Sequence, residues 1–268
     1  LSAERPNPIT CAGHADLIQT KEGDWWAVFL ACRPINNKFE NLGRETFLMP
    51  VRWSEDGFPY MTQGNETVPL ILKRTGVKRD ASVTFGNIED FDNASLGMQW
   101  ITLRAPATEL YSLSDTPGFL TLKCADVSAA EKDTPAFVCR RMQHHKFEST
   151  TRMLFNPSNE KDKAGMLLFK DEKHQYLFAV NRQGENKSVF LKRIGESEQI
   201  LASDTISGNT KEIYLKVISQ GTHYDFYYSL KGEKDWTLLC KDVDASYLST
   251  TTAGGFTGSV IGLYATCK

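Results

Sequence analysis

An all-β fold is predicted for this chain on three observations. Short runs alternate aromatic or β-branched residues with polar ones, Gly-, Asn- and Asp-bearing turns separate them, and no window sustains an apolar period of 3.6 residues. At most short helical turns are expected beside the strands.

The runs fall in order along the chain. Ala27-Val28-Phe29-Leu30 is the first clear strand and Phe119-Leu120-Thr121-Leu122 the next. Met166-Leu167-Leu168-Phe169, Tyr176-Leu177-Phe178-Ala179-Val180, Ile213-Tyr214-Leu215-Lys216-Val217 and Tyr224-Asp225-Phe226-Tyr227-Tyr228 continue the pattern. Val260-Ile261-Gly262-Leu263-Tyr264-Ala265 is the last strand. Turn chemistry predicts hairpins at Arg182-Gln183-Gly184, Ser207-Gly208-Asn209 and Lys231-Gly232-Glu233.

A break falls between residues 61 and 95, where Met61 to Asn65 is turn-like, Lys73 to Asp80 is basic and irregular, and Phe85 to Asn93 is an acidic loop. The residues before it supply three or four strands, the content of one propeller blade, which cannot bury both faces alone. After it, strands recur at about 8 to 12 residues, the spacing of a sandwich. The expected division is a blade over 1–62, a linker over 63–84 and a β-sandwich over 85–268.

Composition narrows the function classes. The 268 residues carry 31 basic and 33 acidic side chains, a formal net charge of −2. That balance offers no global field for nucleic acid or an anionic membrane. No apolar run approaches the roughly 18 residues a membrane helix needs. The chain opens Leu-Ser-Ala-Glu-Arg with neither Met nor an apolar targeting segment, so the native start is expected to be missing and the compartment stays unread. The six cysteines, Cys11, Cys32, Cys124, Cys139, Cys240 and Cys267, form no C-x-x-C pair and no zinc-finger spacing with histidine. They read as small buried apolar residues. A Cys11–Cys32 disulfide stays open, because their strands are expected to be neighbours.

The first fifty residues hold the candidate chemistry: Gly13-His14-Ala15-Asp16, Asp24-Trp25-Trp26, Arg33-Pro34 and Asn41-Leu42-Gly43-Arg44-Glu45-Thr46-Phe47-Leu48. A lone His, a Trp pair and a lone Arg beside short apolar strands read as one piece of a polar pocket. Its crowding against the N-terminus points to a function whose other half lies outside this sequence.

These motifs, with Trp53-Ser54-Glu55-Asp56-Gly57, resemble the closing part of the five-bladed catalytic propeller of glycoside hydrolase family 43. The resemblance is to its β-xylosidase and α-L-arabinofuranosidase members. Trp100, Arg104-Ala105-Pro106, Gly118-Phe119-Leu120, Gln143-His144-His145 to Thr151, Ala164-Gly165-Met166 and Gly255-Phe256-Thr257-Gly258 resemble that family's C-terminal concanavalin-A-like β-sandwich. The match covers essentially the whole chain.

The resemblance implies an exo-acting enzyme releasing terminal xylose or arabinose from xylan-derived oligosaccharides by inverting hydrolysis. One carboxylic acid protonates the leaving oxygen and an opposed carboxylate activates water. In the family those acids come from earlier blades, so no catalytic residue carries over and the chain alone is expected to be inactive. Three positions do carry over. His14 matches the histidine at the propeller axis, which touches a calcium-centred water cluster in the full-length enzyme; no cofactor is required in this chain. Arg44 matches the arginine that reaches the terminal sugar's hydroxyls, where a planar guanidinium suits paired oxygens. Phe256 matches the sandwich residue offering the sugar an apolar wall, with Phe85 and Phe91 competing for that place. The implied partners are a xylo-oligosaccharide or arabinoxylan substrate and the preceding blades, with no nucleic acid and no membrane. A homo-oligomer is left open.

Simpler readings stand beside these. His14 alone is a structural histidine in a turn, and Arg44 a surface residue paired with Glu45 or Asp16. Trp25 and Trp26 both read as core packing. Asp16 and Glu45 are rejected as an acid/base pair. His144-His145 reads as a strand entry with one exposed imidazole. Asp90, Asp92 and Asn93 have hard-oxygen chemistry suited to calcium, at a loose spacing. The rival functions are a non-catalytic carbohydrate-binding sandwich and a domain serving mainly oligomer contacts.

Overall fold

The computed structural model describes residues 8–73 and 88–268. Lys78, Arg79 and Phe85 lie outside the described residues, as does half of the expected linker; residues 61–73 carry no strand.

Thr10–Gln19 (β1), Trp25–Cys32 (β2) and Glu45–Pro50 (β3) form an antiparallel meander in the order β1-β2-β3. Arg52–Trp53 (β4) pairs with Pro59–Tyr60 (β5) as a short ribbon behind it. The meander follows the period of two: Ala27, Phe29 and Ala31 point into a core with Ile9, Met49, Val51 and Val68. Trp25 packs against that core and meets Trp53 edge-on at 5.4 Å. On the meander's outer edge, β1 leaves Leu17 and Ile18 exposed.

The second body contains Ile101–Thr102 (β6), the pair Tyr111–Ser112 (β7) and Thr121–Leu122 (β8), and Ala136–Arg141 (β9). Lys146–Leu154 (β10), Lys163–Asp171 (β11), His174–Gln183 (β12), Asn186–Ile194 (β13) and Glu198–Ile206 (β14) follow. Glu212–Gln220 (β15), His223–Ser229 (β16), Thr237–Asp244 (β17) and Val260–Thr266 (β18) complete it. A four-stranded sheet in the order β10-β15-β16-β17 packs on a seven-stranded sheet in the order β14-β13-β12-β11-β18-β9-β6.

The larger sheet is apolar on both faces. Leu168, Phe178, Val180 and Leu191 face the small sheet, where Leu215, Val217 and Phe226 meet them. Leu167, Phe169, Leu177 and Phe190 face the other way, into a second core with Phe137 and Tyr264. Strands buried on both sides read as unbroken apolar runs, which is why Met166 to Phe169 and Tyr176 to Val180 do not alternate.

Two turns keep their expected form. Arg182-Gln183-Gly184 closes the β12–β13 hairpin with Gly184 at φ 61°, and Lys231-Gly232-Glu233 lies between the paired strands β16 and β17. The third is corrected: Ser207-Gly208-Asn209 carries the chain from β14 in one sheet to β15 in the other, so it is a crossover and not a hairpin. The strand expected at Phe119 to Leu122 shortens to Thr121–Leu122. Among the described residues the one α-helix is Thr250–Ala253 (α1), N-capped by Ser249 and ended at Gly254 with φ 76°. No described helix is long and apolar enough to cross a membrane.

Candidate functional site

The two bodies meet along a narrow seam. The backbone at Gly43 bridges Thr257, the Arg44 N–H donates to the Phe256 carbonyl at 3.3 Å, and the Ser259 N–H donates to Asn41 at 2.9 Å. Glycine is required on both sides. Gly43 sits at φ 65°, and a Cβ there would lie 2.2 Å from the Gly258 nitrogen; one on Gly258 would lie 2.1 Å from the Leu42 carbonyl oxygen. Two side-chain-free backbones therefore pass at a distance no other residue permits.

This crossing brings two of the sequence-predicted residues together. The Arg44 guanidinium lies over the Phe256 ring, 3.9 Å from its centroid, and both side chains are exposed, Phe256 by 66%. A guanidinium on an aromatic face is attracted by the ring quadrupole, by about 0.5–1 kcal/mol at an exposed site. Among the described residues no side-chain hydrogen bond engages its N–H edge, which can bind paired hydroxyls, while the ring offers an apolar surface beside it. Phe91, a competitor for that place, instead packs against Trp100 at 5.5 Å within the sandwich.

His14 is placed elsewhere. It occupies an irregular stretch of β1, where the register with β2 shifts on both sides of Gly13, and it takes φ 51° with its side chain exposed. Bulges re-aim side chains and bend the strand that carries them. Because β2 lies between β1 and β3, His14 stands about 10 Å, two strand spacings, from the line of Arg44. Calcium takes six to eight oxygen ligands. Among the described residues the one cluster of three candidate ligands is Cys11, Cys32 and Glu40, whose thiols do not suit it. Asp90 and Asp92 join no such cluster. The expected contact of His14 with calcium is through water in the full-length enzyme, and no step is derived through it.

The seam is held by polar groups that sequence reasoning passed over. The Asn41 side chain is buried and donates to the Ala245 carbonyl at 2.6 Å. Glu40 accepts from Thr10 at 2.8 Å and from Thr250 at 2.7 Å. Those bonds hold its carboxyl below the usual range even though burial pushes the other way. Burial raises the neighbouring Cys32 thiol to about 12, helped by Glu40 and Cys11. The Lys170 side chain is buried and donates to the Thr257 carbonyl.

Arg33 grips Glu45 with two bonds, at 2.7 and 2.8 Å, and also donates to the Gln143 carbonyl at 3.2 Å. The expected pairing of Arg44 with Glu45 is thus corrected: Arg33 takes the carboxylate and leaves Arg44 to the phenyl ring. The ring of His145 is 2.7 Å from the Arg33 carbonyl oxygen. Burial pushes its pKa below the ordinary 6.5. As expected of that strand entry, His144 is exposed while His145 is half-buried. The signals for Asn41, Gly43 and Gly258 were present inside Asn41-Leu42-Gly43-Arg44 and Phe256-Thr257-Gly258, but a close approach across the chain has no local signature.

Known proteins match this architecture. Residues 88–268 match the family described as the beta xylosidase C-terminal concanavalin A-like domain, and residues 1–59 match glycosyl hydrolases family 43. A non-reducing end alpha-L-arabinofuranosidase of Bacteroides ovatus is 32% identical over 97% of this chain and 48% of its own length. A xylosidase/arabinosidase of Butyrivibrio fibrisolvens is 32% identical over 96% of this chain and 49% of its own. The crystal structure of a xylan beta-1,4-xylosidase from Bacillus halodurans superposes with a TM-score of 0.85 at 26% identity, covering 98% of this chain and 52% of that one. The chain spans about half the length of the curated relatives it matches. It belongs to glycoside hydrolase family 43, and its larger part is that family's β-xylosidase-type C-terminal concanavalin A-like sandwich.

Proposed function

We propose that this chain forms one wall of the active site of an exo-acting glycosidase that releases terminal xylose or arabinose from xylan-derived oligosaccharides with inversion. The observation that carries this reading is the exposed Arg44–Phe256 pair, presented jointly by blade and sandwich. Arg44 would hold paired hydroxyls of the terminal sugar, and Phe256 would cover the sugar's apolar face. Inverting hydrolysis needs two carboxyls about 6.5–9.5 Å apart, with room for water between them. The nearest carboxylates in sequence are committed to structure: Glu45 to Arg33, Glu40 to Thr10 and Thr250. In this reading the acid and base come from the rest of the protein, docked on the edge that β1 leaves exposed, where His14 orders water beneath the sugar.

The isolated chain is expected to give no rate above background on a nitrophenyl xyloside or arabinofuranoside. In the protein with its preceding blades, Phe256→Ala and Arg44→Ala should each lower kcat/KM by about 10- to 100-fold, a loss of about 1.4–2.8 kcal/mol of transition-state binding. Full activity in the isolated chain, or unchanged kcat/KM in both variants, would overturn the reading.

One observation favours a second reading, a carbohydrate-binding sandwich. A cavity of about 760 Å³ lies beside the edge strand β10, lined by Trp100, Phe119, Arg140, Glu148 and Arg152 among others. Aromatic faces among charged groups suit a glycan. Calorimetric titration of the isolated chain with xylohexaose separates the readings, since heat of binding favours the second.

A further inference from the structure

We propose that Cys11, Cys32 and Glu40 form a binding site for a thiophilic divalent cation of zinc's size and coordination. The three side chains come from the start of β1, the end of β2 and the loop that follows. Their ligand atoms all lie within 4.8 Å of one another. Zinc bonds of about 2.3 Å to sulfur and about 2.0 Å to oxygen, at a tetrahedral angle, set those two ligands about 3.5 Å apart. The Cys11 Sγ stands 3.5 Å from Glu40 Oε1.

The chain reaches this geometry by local distortion. Cys11 takes φ 53°, in the stretch where the register of β1 with β2 shifts. That conformation places Cys11 beside Cys32, although the backbone partner of Cys32 is Thr10. No linear spacing encodes the arrangement, so the absence of a C-x-x-C pair does not argue against it.

The chemistry of the donors selects the ion. Two sulfurs and one carboxylate oxygen suit a borderline-soft cation and not calcium or magnesium. On binding, each thiol forms a metal–sulfur bond and releases its proton to solvent, so affinity rises with pH. Two thiolates and a carboxylate around a dication leave one negative charge. The buried Lys170 ammonium lies close enough to feel both Glu40 and Cys32 and offsets that charge. Cys11 is exposed, which gives the ion an entry path and leaves the fourth position to water. Glu40 Oε2 meanwhile accepts from Thr250, at the start of the short helix that leads to Phe256. The bound ion thus clamps the blade to the loop that presents that ring.

Cobalt(II) is the direct probe. The reduced, chelator-washed chain, given one equivalent of Co²⁺, should show near-ultraviolet sulfur-to-cobalt charge transfer of two-thiolate intensity and the visible bands of tetrahedral cobalt. Zn²⁺ should erase both and raise the melting temperature. Cys11→Ser, at an exposed position where folding is not at stake, should halve the charge-transfer band, and Cys32→Ser should do the same. Glu40→Gln should keep the two-thiolate band but weaken Co²⁺ binding at least tenfold. A Cys124→Ser/Cys267→Ser double variant should change nothing. No charge transfer at one equivalent, or a band that survives Cys11→Ser at full height, would overturn the proposal.

Discussion

The sandwich and the blade use the same strand chemistry to opposite ends. In the sandwich, β11, β12 and β13 bury residues on both faces, and Leu167, Leu168, Phe178 and Leu191 are all 0% exposed. In the blade, the inward face of β2 is sealed together with Met49 of β3, while β1 is exposed along most of its length, its apolar Leu17 and Ile18 included. The sandwich is saturated by its own two cores. The blade leaves its β1 edge exposed, and its contacts with the sandwich run along the seam around Gly43 and Gly258.

The largest expected effect tests that asymmetry directly. Phe178 lies between the two sheets, edge-on to Phe226 at 5.4 Å. Phe178→Ala should cost about 3–5 kcal/mol, because the surrounding sheets cannot collapse onto the cavity. Phe29→Ala removes a ring whose aromatic partner is Phe47 at 5.7 Å, in a thinner layer that relaxes more easily. Its loss should be smaller, with urea midpoints as the measurement. Equal losses would break the comparison.

Next in size are the crossing glycines. Gly43→Ala forces a Cβ into the Gly258 backbone and also strains a positive φ, at about 2–4 kcal/mol. Gly258→Ala carries the clash without the φ penalty and should cost less. If both denature at the wild-type urea midpoint, the seam is not what joins the two bodies.

The smallest effect is on pH. Burial lowers the His145 pKa in the folded chain, so the unfolded chain binds more protons near pH 6.5. Stability is therefore full above about pH 6.5 and declines as pH falls toward the lowered folded value, then levels off with respect to this group. The Arg33 and His144 charges oppose protonation and Glu45 favours it. His145→Gln should flatten the thermal-melting profile between pH 7 and 5 relative to the wild type, by less than either substitution above. A steeper profile would mean that His145 gains protons on folding, the opposite sign.

Much of the fold was legible in the sequence because strand periodicity and turn chemistry are local. The runs at Ala27, Met166, Tyr176, Ile213, Tyr224 and Val260 all lie within strands, and Gly184 closes a hairpin as its neighbours imply. The misreading at Ser207-Gly208-Asn209 has a clear cause: the same turn residues can fold a strand back on its neighbour or pass it to a facing sheet. The site was legible only in part. Arg44 and Phe256 follow from resemblance, whereas the seam contacts of Asn41, Glu40 and His145 do not, because a buried polar group is recognised by its partner and theirs are distant. Asn41 bonds to a carbonyl 204 residues away.

The sequence by itself determined the all-β class, the positions of the main strands, and the family. Each rests on short-range patterns or on motifs that keep their order. Only the tertiary structure decided that Arg44 lies against Phe256, that Arg33 claims Glu45, and that Cys11, Cys32 and Glu40 converge. Those contacts depend on how two sheets pack and where two glycine backbones cross, and the shape of a packed seam is a property of both surfaces together.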